Sequence, residues 1–218
     1  MIRQFGVNDL WYIVFALQWT LALSTMAFAG GGVFGLLVAL ARTSDIKSLR
    51  VLSNSYIQLF QGTPLLMQLF LVFFGANVFG VNINPWVAAA IGLTLNASAF
   101  LGEIWRGCIQ AVPRGQFEAS SALGLKYLNT MRCVVLPQAF RISVAPTVGF
   151  LVQLIKSTSL AAIIGFTELT RAGQIINNAT FRPFLVFGIV AGIYFVICWP
   201  LSLLSGRLER RLAVATAR

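Results

Sequence analysis

Five apolar runs, at about 11–41, 55–79, 86–110, 139–163 and 184–206, divide the 218 residues, and each is long enough to cross a bilayer. A spanning helix needs roughly 20 apolar residues, and inside hydrocarbon only a helix or a closed barrel pairs all of its own backbone groups. At 58% hydrophobic and 10% charged residues, with a mean hydropathy of +0.82, the chain is too apolar for a soluble domain of this size. The expectation is an all-α polytopic membrane protein of about five transmembrane helices, residues 1–218 forming one domain. Ala27-Phe28-Ala29 resembles a signal-peptide cleavage site. The apolar run continues through Gly30 to Val38, however, so an uncut first span is expected. That span is long enough to tilt. Gly31 and Gly35, like Gly188 and Gly192, have the small-xxx-small spacing that lets helix backbones approach closely.

The net charge of +10 comes from 16 basic and 6 acidic residues. Such a balance suits nucleic acid, but here the basic residues fall between spans, where membrane insertion places them. Arg42, Lys47 and Arg50 follow the first span. Arg106, Arg114, Lys126, Arg132 and Arg141 surround the connection at 113–137, and Arg207, Arg210, Arg211 and Arg218 follow the last span. These are twelve of the sixteen; Arg3, Arg171 and Arg182 fall on the other side. The positive-inside rule predicts an external amino terminus, with the 113–137 loop and the carboxyl terminus in the cytoplasm. Cys108, Cys133 and Cys198 form no CxxC pair and the chain has no histidine, so no metal site or disulfide framework is expected and the cysteines read as small apolar fillers.

The 113–137 connection is polar and patterned. Pro113 suits a helix start, Glu118 is expected in the first turns where the helix dipole favours an anion, and Gly124 suits a C-terminal cap. A second short helix would follow, with Leu128, Met131 and Val135 on one face, until Pro137 breaks it before the fourth span. A two-helix knob built outside the bilayer implies a protein that docks there. A solvated basic connector would explain its charges but not its spacing of glycine, acid and proline.

That spacing, Glu118-Ala119-Ser120-x3-Gly124-x9-Val134-x-Leu136-Pro137, resembles the EAA loop of ATP-binding cassette (ABC) importer permeases. Ser120 and Val134 are conservative departures from the usual Ala and Ile. Gln61-Gly62-Thr63-Pro64-Leu65-Leu66, Glu103-Ile104-Trp105-Arg106-Gly107 and Lys156-Ser157-Thr158-Ser159-Leu160 resemble further patterns of the polar amino acid uptake permeases, with Gln61 where Arg is usual. The resemblance implies the type I importer permease fold in the bacterial cytoplasmic (inner) membrane. It implies a second permease subunit, the same or homologous, and a dimer of cytoplasmic ATPase subunits carrying ATP and Mg. It also implies an external solute-binding protein delivering a polar amino acid or a close relative such as an opine. Glu118, Ala119, Gly124, Leu136 and Pro137 would couple this chain to the ATPase. The chain has no Gly-Lys dipeptide, hence no phosphate-binding GxxxxGK[ST] loop, so ATP binding and hydrolysis are expected of the partner alone.

Polar side chains within spans are costly and tend to face a bundle interior or an aqueous path. Gln61 and Gln68 are seven residues apart on one expected face of the second span, with Thr63-Pro64 freeing a backbone group between them. Asn96 and Glu103 share a face of the third by the same spacing, and in the fourth Gln153 lies on the face of Lys156 and Ser157. Fifteen residues separate Arg141 from Lys156, roughly 22 Å of helix, which puts Lys156 in the outer half of the membrane. These eight are the candidate path residues. Each has a structural reading beside it: an ion pair of Glu103 with Arg106 three residues on, a snorkelling anchor for Lys156, and interhelical hydrogen bonds for the glutamines. The stretch from Ser157 to Pro183 reads as a short re-entrant or external helix with a loop. An ion-gradient secondary transporter is the alternative, but it would place coupling carboxylates at mid-membrane, and Glu103, the one such group expected inside a span, lies near an edge. No paired carboxylates or nucleophile motif supports an enzyme.

Overall fold

The computed structural model describes residues 3–216, so Arg218 lies outside it, and the described residues form helices with no β-strand. The first, α1, runs Val7–Thr43. Its start is fixed by the Asp9 carboxylate, which accepts the Gly6 N–H at 2.9 Å and pairs with Arg3. Helix α2, Lys47–Gly62, meets α3, Leu65–Val78, at an angle of 100°. Asn84 caps α4, Pro85–Gln110, by accepting the Trp86 N–H at 2.9 Å, while Pro85 opens the helix where no backbone donor is needed. Helices α5, Arg114–Ala122, and α6, Tyr127–Thr130, make the knob. One wide π-turn, Met131–Val135, leads from α6 into α7, Leu136–Ser157, and a 3₁₀ turn, Thr158–Ala162, follows. Helix α8, Leu169–Thr180, then packs at the end of the bundle opposite the knob, and α9, Pro183–Thr216, completes the chain.

Four helical segments of the described residues are long and apolar enough to span a membrane, and the bent α2–α3 pair makes a fifth crossing if its arms are taken together. Helix α4 is the centre: 61% of its most apolar window is buried, against 28% or less in the other three. Leu93, Ala97 and Leu101 of α4 pack with Leu23 and Ala27 of α1, Leu69 of α3, and Phe150 and Leu154 of α7. Gly31 and Gly35 bring α1 within backbone contact of α4. A Cβ on Gly31 would sit 2.5 Å from the Ala97 Cβ, and one on Gly35 3.0 Å from the Ser98 carbonyl. The same spacing at Gly188 and Gly192 does no such work, since nothing lies within 4 Å of a Cβ on either.

Two expectations are corrected. The 55–79 run is not one straight helix: Pro64 has no N–H to give the Phe60 carbonyl and its ring disfavours a helical Thr63, so the chain turns there. Gln61 and Gln68 therefore share no face. Nor does Pro137 end a separate helix. In a regular helix its ring would strike the Cys133 carbonyl; the π-turn widens the ladder at that point, the Leu136 N–H reaching back to Met131, and Tyr127–Ala162 continues as one segment.

Candidate functional site

The knob holds its shape by local hydrogen bonds. The Leu125 N–H bonds the Ser120 carbonyl at 3.0 Å and the Gly124 N–H bonds Ser121 at 2.9 Å. This paired closure, with Gly124 at φ +74°, ends α5 as a Schellman motif. Ser120 is buried and its hydroxyl donates to the Gln116 carbonyl at 2.6 Å. Phe117 packs onto a small core of Ile109, Val112, Met131, Val135 and Ala139, and Gln138 of α7 donates to the Gln116 side chain at 3.3 Å.

Glu118, Ala119, Gly124 and Pro137 are exposed and Leu136 is half-buried at the root of the knob. Glu118 is the fifth residue of α5, in its second turn, where the helix dipole acts more weakly than in the first. Met131 and Val135 point inward as expected but Leu128 does not: it is 79% exposed, beside Leu123 at 80% and Tyr127 at 51%. The π-turn falls between Leu128 and Val135 and upsets the helical spacing on which that face was predicted. Cys133 is exposed within this turn rather than an apolar filler, whereas Cys108 and Cys198 are buried.

Two cavities lie along the bundle. One, about 310 Å³, is walled by Gln61 of α2, by Phe100, Glu103, Ile104 and Gly107 of α4, and by Ile142 and Pro146 of α7. Glu103 is held by Arg106, whose Nε donates to it at 2.8 Å; the ion pair expected three residues apart is present. The other, about 560 Å³, is a polar groove between α7 and α9 lined by Gly149, Gln153, Lys156, Ser202, Ser205 and Glu209, among others. Gln153 and Lys156 are exposed on it, and Ser157 is half-buried and does not line it.

Gln68 and Asn96 line neither cavity and are both buried. The Gln68 Nε2 donates to the Phe60 carbonyl at 2.8 Å, the Thr63 carbonyl at 3.0 Å and the Thr63 Oγ1 at 2.9 Å, and its Oε1 accepts from Asn96 Nδ2 at 3.0 Å. The Thr63 hydroxyl donates to the Leu59 carbonyl at 2.7 Å. Thr63, Gln68 and Asn96 thus repair the broken backbone, as the interhelical reading of Gln68 anticipates.

Glu168 escaped the sequence reading. It has no exposed surface, making it a more deeply buried carboxylate than Glu103. It caps α8, accepting the Thr170 N–H at 2.9 Å, the Arg171 N–H at 2.8 Å and the Tyr194 hydroxyl at 2.9 Å, while the Leu169 N–H bonds the Thr20 hydroxyl at 3.1 Å. Thus α8 is bound to both α1 and α9 at its first turn. Burial pushes the Glu168 carboxyl above its ordinary range, against the pull of those hydrogen bonds. The available signal was an acid preceding an apolar-periodic stretch, a common helix start.

The comparisons agree with this architecture. Residues 31–214 match the family described as the binding-protein-dependent transport system inner membrane component. A probable amino-acid ABC transporter permease of Bacillus subtilis is 38% identical over 93% of this chain and 89% of its own. The L-cystine transport system permease of the same organism is 40% identical over 90% and 84%. The glutamine transport system permease of Escherichia coli is 34% identical over 97% and 99%. Among solved structures, an amino acid ABC transporter crystallised with histidines superposes at a TM-score of 0.87 with 38% identity, covering 92% of this chain and 94% of that one. These matches leave the ion-gradient alternative without support. With a family match across most of its length and a fold shared with an ABC importer, the chain belongs to the binding-protein-dependent inner membrane components, the permease subunits of ABC importers, in which a separate subunit hydrolyses ATP.

Proposed function

We propose that this permease carries a polar amino acid, or a close relative such as an opine, inward across the bacterial cytoplasmic membrane, with its amino terminus outside and the knob and carboxyl terminus in the cytoplasm. The observation that carries the coupling role is the knob itself: a hydrogen-bonded helix cap outside the apolar spans, surrounded by exposed Leu123, Tyr127 and Leu128. Large apolar side chains exposed close together in sequence beside such a cap support a protein contact there. One ATPase subunit of a pair, carrying ATP and Mg, docks there against Glu118, Ala119 and Gly124, while Leu136 and Pro137 join the knob to α7. A second permease, the same or homologous, completes the route, because the spans of one chain are too few to enclose it. An external solute-binding protein delivers the substrate.

The relatives named for glutamine, L-cystine and amino acids support the substrate class. Within the path, Lys156 supplies a cation and Gln153, Ser202 and Ser205 supply hydrogen bonds in the α7–α9 groove, chemistry suited to an α-carboxylate and a polar side chain. Gln61 and Glu103 line the 310 Å³ cavity, Ser157 follows Lys156 outside the groove lining, and Thr63, Gln68 and Asn96 act as scaffold.

The test is to purify the tagged chain from membranes in mild detergent, identify what accompanies it and assay ATP hydrolysis. Recovery of a stoichiometric ATPase subunit, lost on Gly124→Trp, with uptake lost on Glu118→Lys at normal membrane insertion, is the expected result. Recovery of the chain alone, with uptake driven by an ion gradient in vesicles lacking ATP, would overturn the proposal.

A further inference from the structure

The chain turns by 100° between α2 and α3, and a carbonyl freed at such a corner loses its helical partner and needs another. Pro64 removes the donor that Phe60 would have in a continuous helix, and the Gln68 carboxamide supplies it instead, at 2.8 Å. Both Nε2 protons serve the Phe60 and Thr63 acceptors, so the Gln68 Oε1 must face Asn96 and the Asn96 amide must donate. The bond therefore has a fixed polarity. Each arm of the corner is tied separately to α4. The Tyr56 hydroxyl of α2 lies 2.6 Å from the Ser98 hydroxyl and donates to the Leu95 carbonyl at 3.1 Å. On the other arm, Leu69 of α3 packs so close to Gly92 that a Cβ there would meet its Cδ2 at 2.8 Å. Gln61 sits just before the corner on the wall of the 310 Å³ cavity, opposite α4.

We propose that Gln68 and Asn96 are positioning residues for transport: their carboxamides lock the α2–α3 corner onto α4, hold Gln61 at the cavity wall, and make α2, α3 and α4 one block that moves without flexing through the ATP cycle. The inference rests on the transport reading for its functional consequence, while the lock itself is measurable without transport. In a chain whose cysteines are replaced, spin labels at exposed Ser55 of α2 and Asn77 of α3 report the distance across the corner in the assembled complex, in lipid nanodiscs, without nucleotide and with ATP trapped by vanadate. One narrow distance population common to both states is expected.

Asn96→Asp keeps the side-chain volume but turns the donor into an acceptor when ionised. It should broaden or shift that population and lower the maximal uptake rate at least tenfold with little change in the half-saturating substrate concentration. Gln68→Leu, which leaves the carbonyls unpaired, should do the same. A parent distance that changes between the nucleotide states overturns the proposal, and this arm needs no variant. So does an unchanged distance and uptake in Asn96→Asp. A rigid corner in a complex that takes up no amino acid would leave the lock standing and refute the transport reading instead.

Discussion

Replacing Gly31 by Ala tests the contact on which the bundle is centred. The added Cβ would lie 2.5 Å from the Ala97 Cβ and 3.2 Å from the Ala97 carbonyl carbon and the Ser98 nitrogen. Ordinary carbon contacts are about 3.5–4.0 Å, so the shortfall is about 1 Å or more at the methyl group. None of the opposing atoms is the end of a flexible side chain, and no rotamer change relieves the clash. Helices α1 and α4 must separate, and the close backbone approaches at Gly35 and Gly102, where an added Cβ would lie 3.0 Å from the Ser98 carbonyl and 3.2 Å from the Gly35 carbonyl, loosen with them. Overpacking of this kind costs about 1–3 kcal/mol, partly offset by the better helix propensity of Ala, roughly 1 kcal/mol. With a shortfall of about 1 Å or more placing the cost in the upper part of that range, about 2–3 kcal/mol, a net loss of about 1–2 kcal/mol is expected, read from unfolding of the detergent-solubilised complex by sodium dodecyl sulfate titration. Ala97→Gly in the same chain removes the nearest clash and should restore about half of the loss. Gly188→Ala, with open space around the added carbon, should stay within about 0.5 kcal/mol of the parent. Full stability of Gly31→Ala, or no recovery with Ala97→Gly, would refute the close-packing argument.

Glu168→Gln should weaken the attachment of α8 and flatten the dependence of stability on pH. Because burial raises the folded-state pKa of Glu168 above its unfolded value, its contribution to stability is fully present below the ordinary carboxylate pKa and is lost as pH rises through the raised value. Thermal unfolding of parent and variant between about pH 4 and 8 measures the difference, and parallel curves would contradict it. Gly124→Ala forces a side chain into a φ of +74°, costing about 1–2 kcal/mol. It should lower ATPase subunit recovery without the bulk of the Trp variant, and undiminished recovery would count against the Schellman cap as a docking element. Lys156→Ala should alter substrate preference or substrate-stimulated ATP hydrolysis in the assembled complex; unchanged behaviour would make Lys156 a membrane anchor.

The spans, the knob and the glycine contact were legible because each leaves a local mark: apolar length, a Gly124 with an acid and a proline at fixed offsets, small residues four apart. The corner at Thr63-Pro64 was not, since apolar residues continue through it and hydropathy carries no direction. Its signature, visible afterwards, is a proline followed four residues later by a glutamine that returns the missing hydrogen bond. Pro137 misled in the opposite sense, because a proline ends a regular helix but not one that widens by a residue. Glu168 falls within the stretch read as a re-entrant or external helix with a loop, and its partner Tyr194 lies 26 residues on, while the Leu169 N–H beside it bonds Thr20, 149 residues earlier. Among the path candidates, polarity within a span identified buried or cavity-facing groups but could not separate those that face the cavities from those that mend the backbone.

The π-turn at Met131–Val135 also bears on how this segment tolerates insertion and deletion. In a regular helix one extra residue swings everything beyond it by about 100°, which would turn Gln153 and Lys156 away from their groove. A wide turn absorbs the additional residue locally and returns both flanks to their former azimuth. Removing exposed Cys133 would therefore leave the rotational setting of the upper helix intact while bringing the Pro137 ring against the carbonyl ladder. The turn is thus a length buffer between the knob proposed to meet the ATPase and the groove proposed to meet the substrate, letting the spacing of the two drift by a residue without uncoupling their orientations.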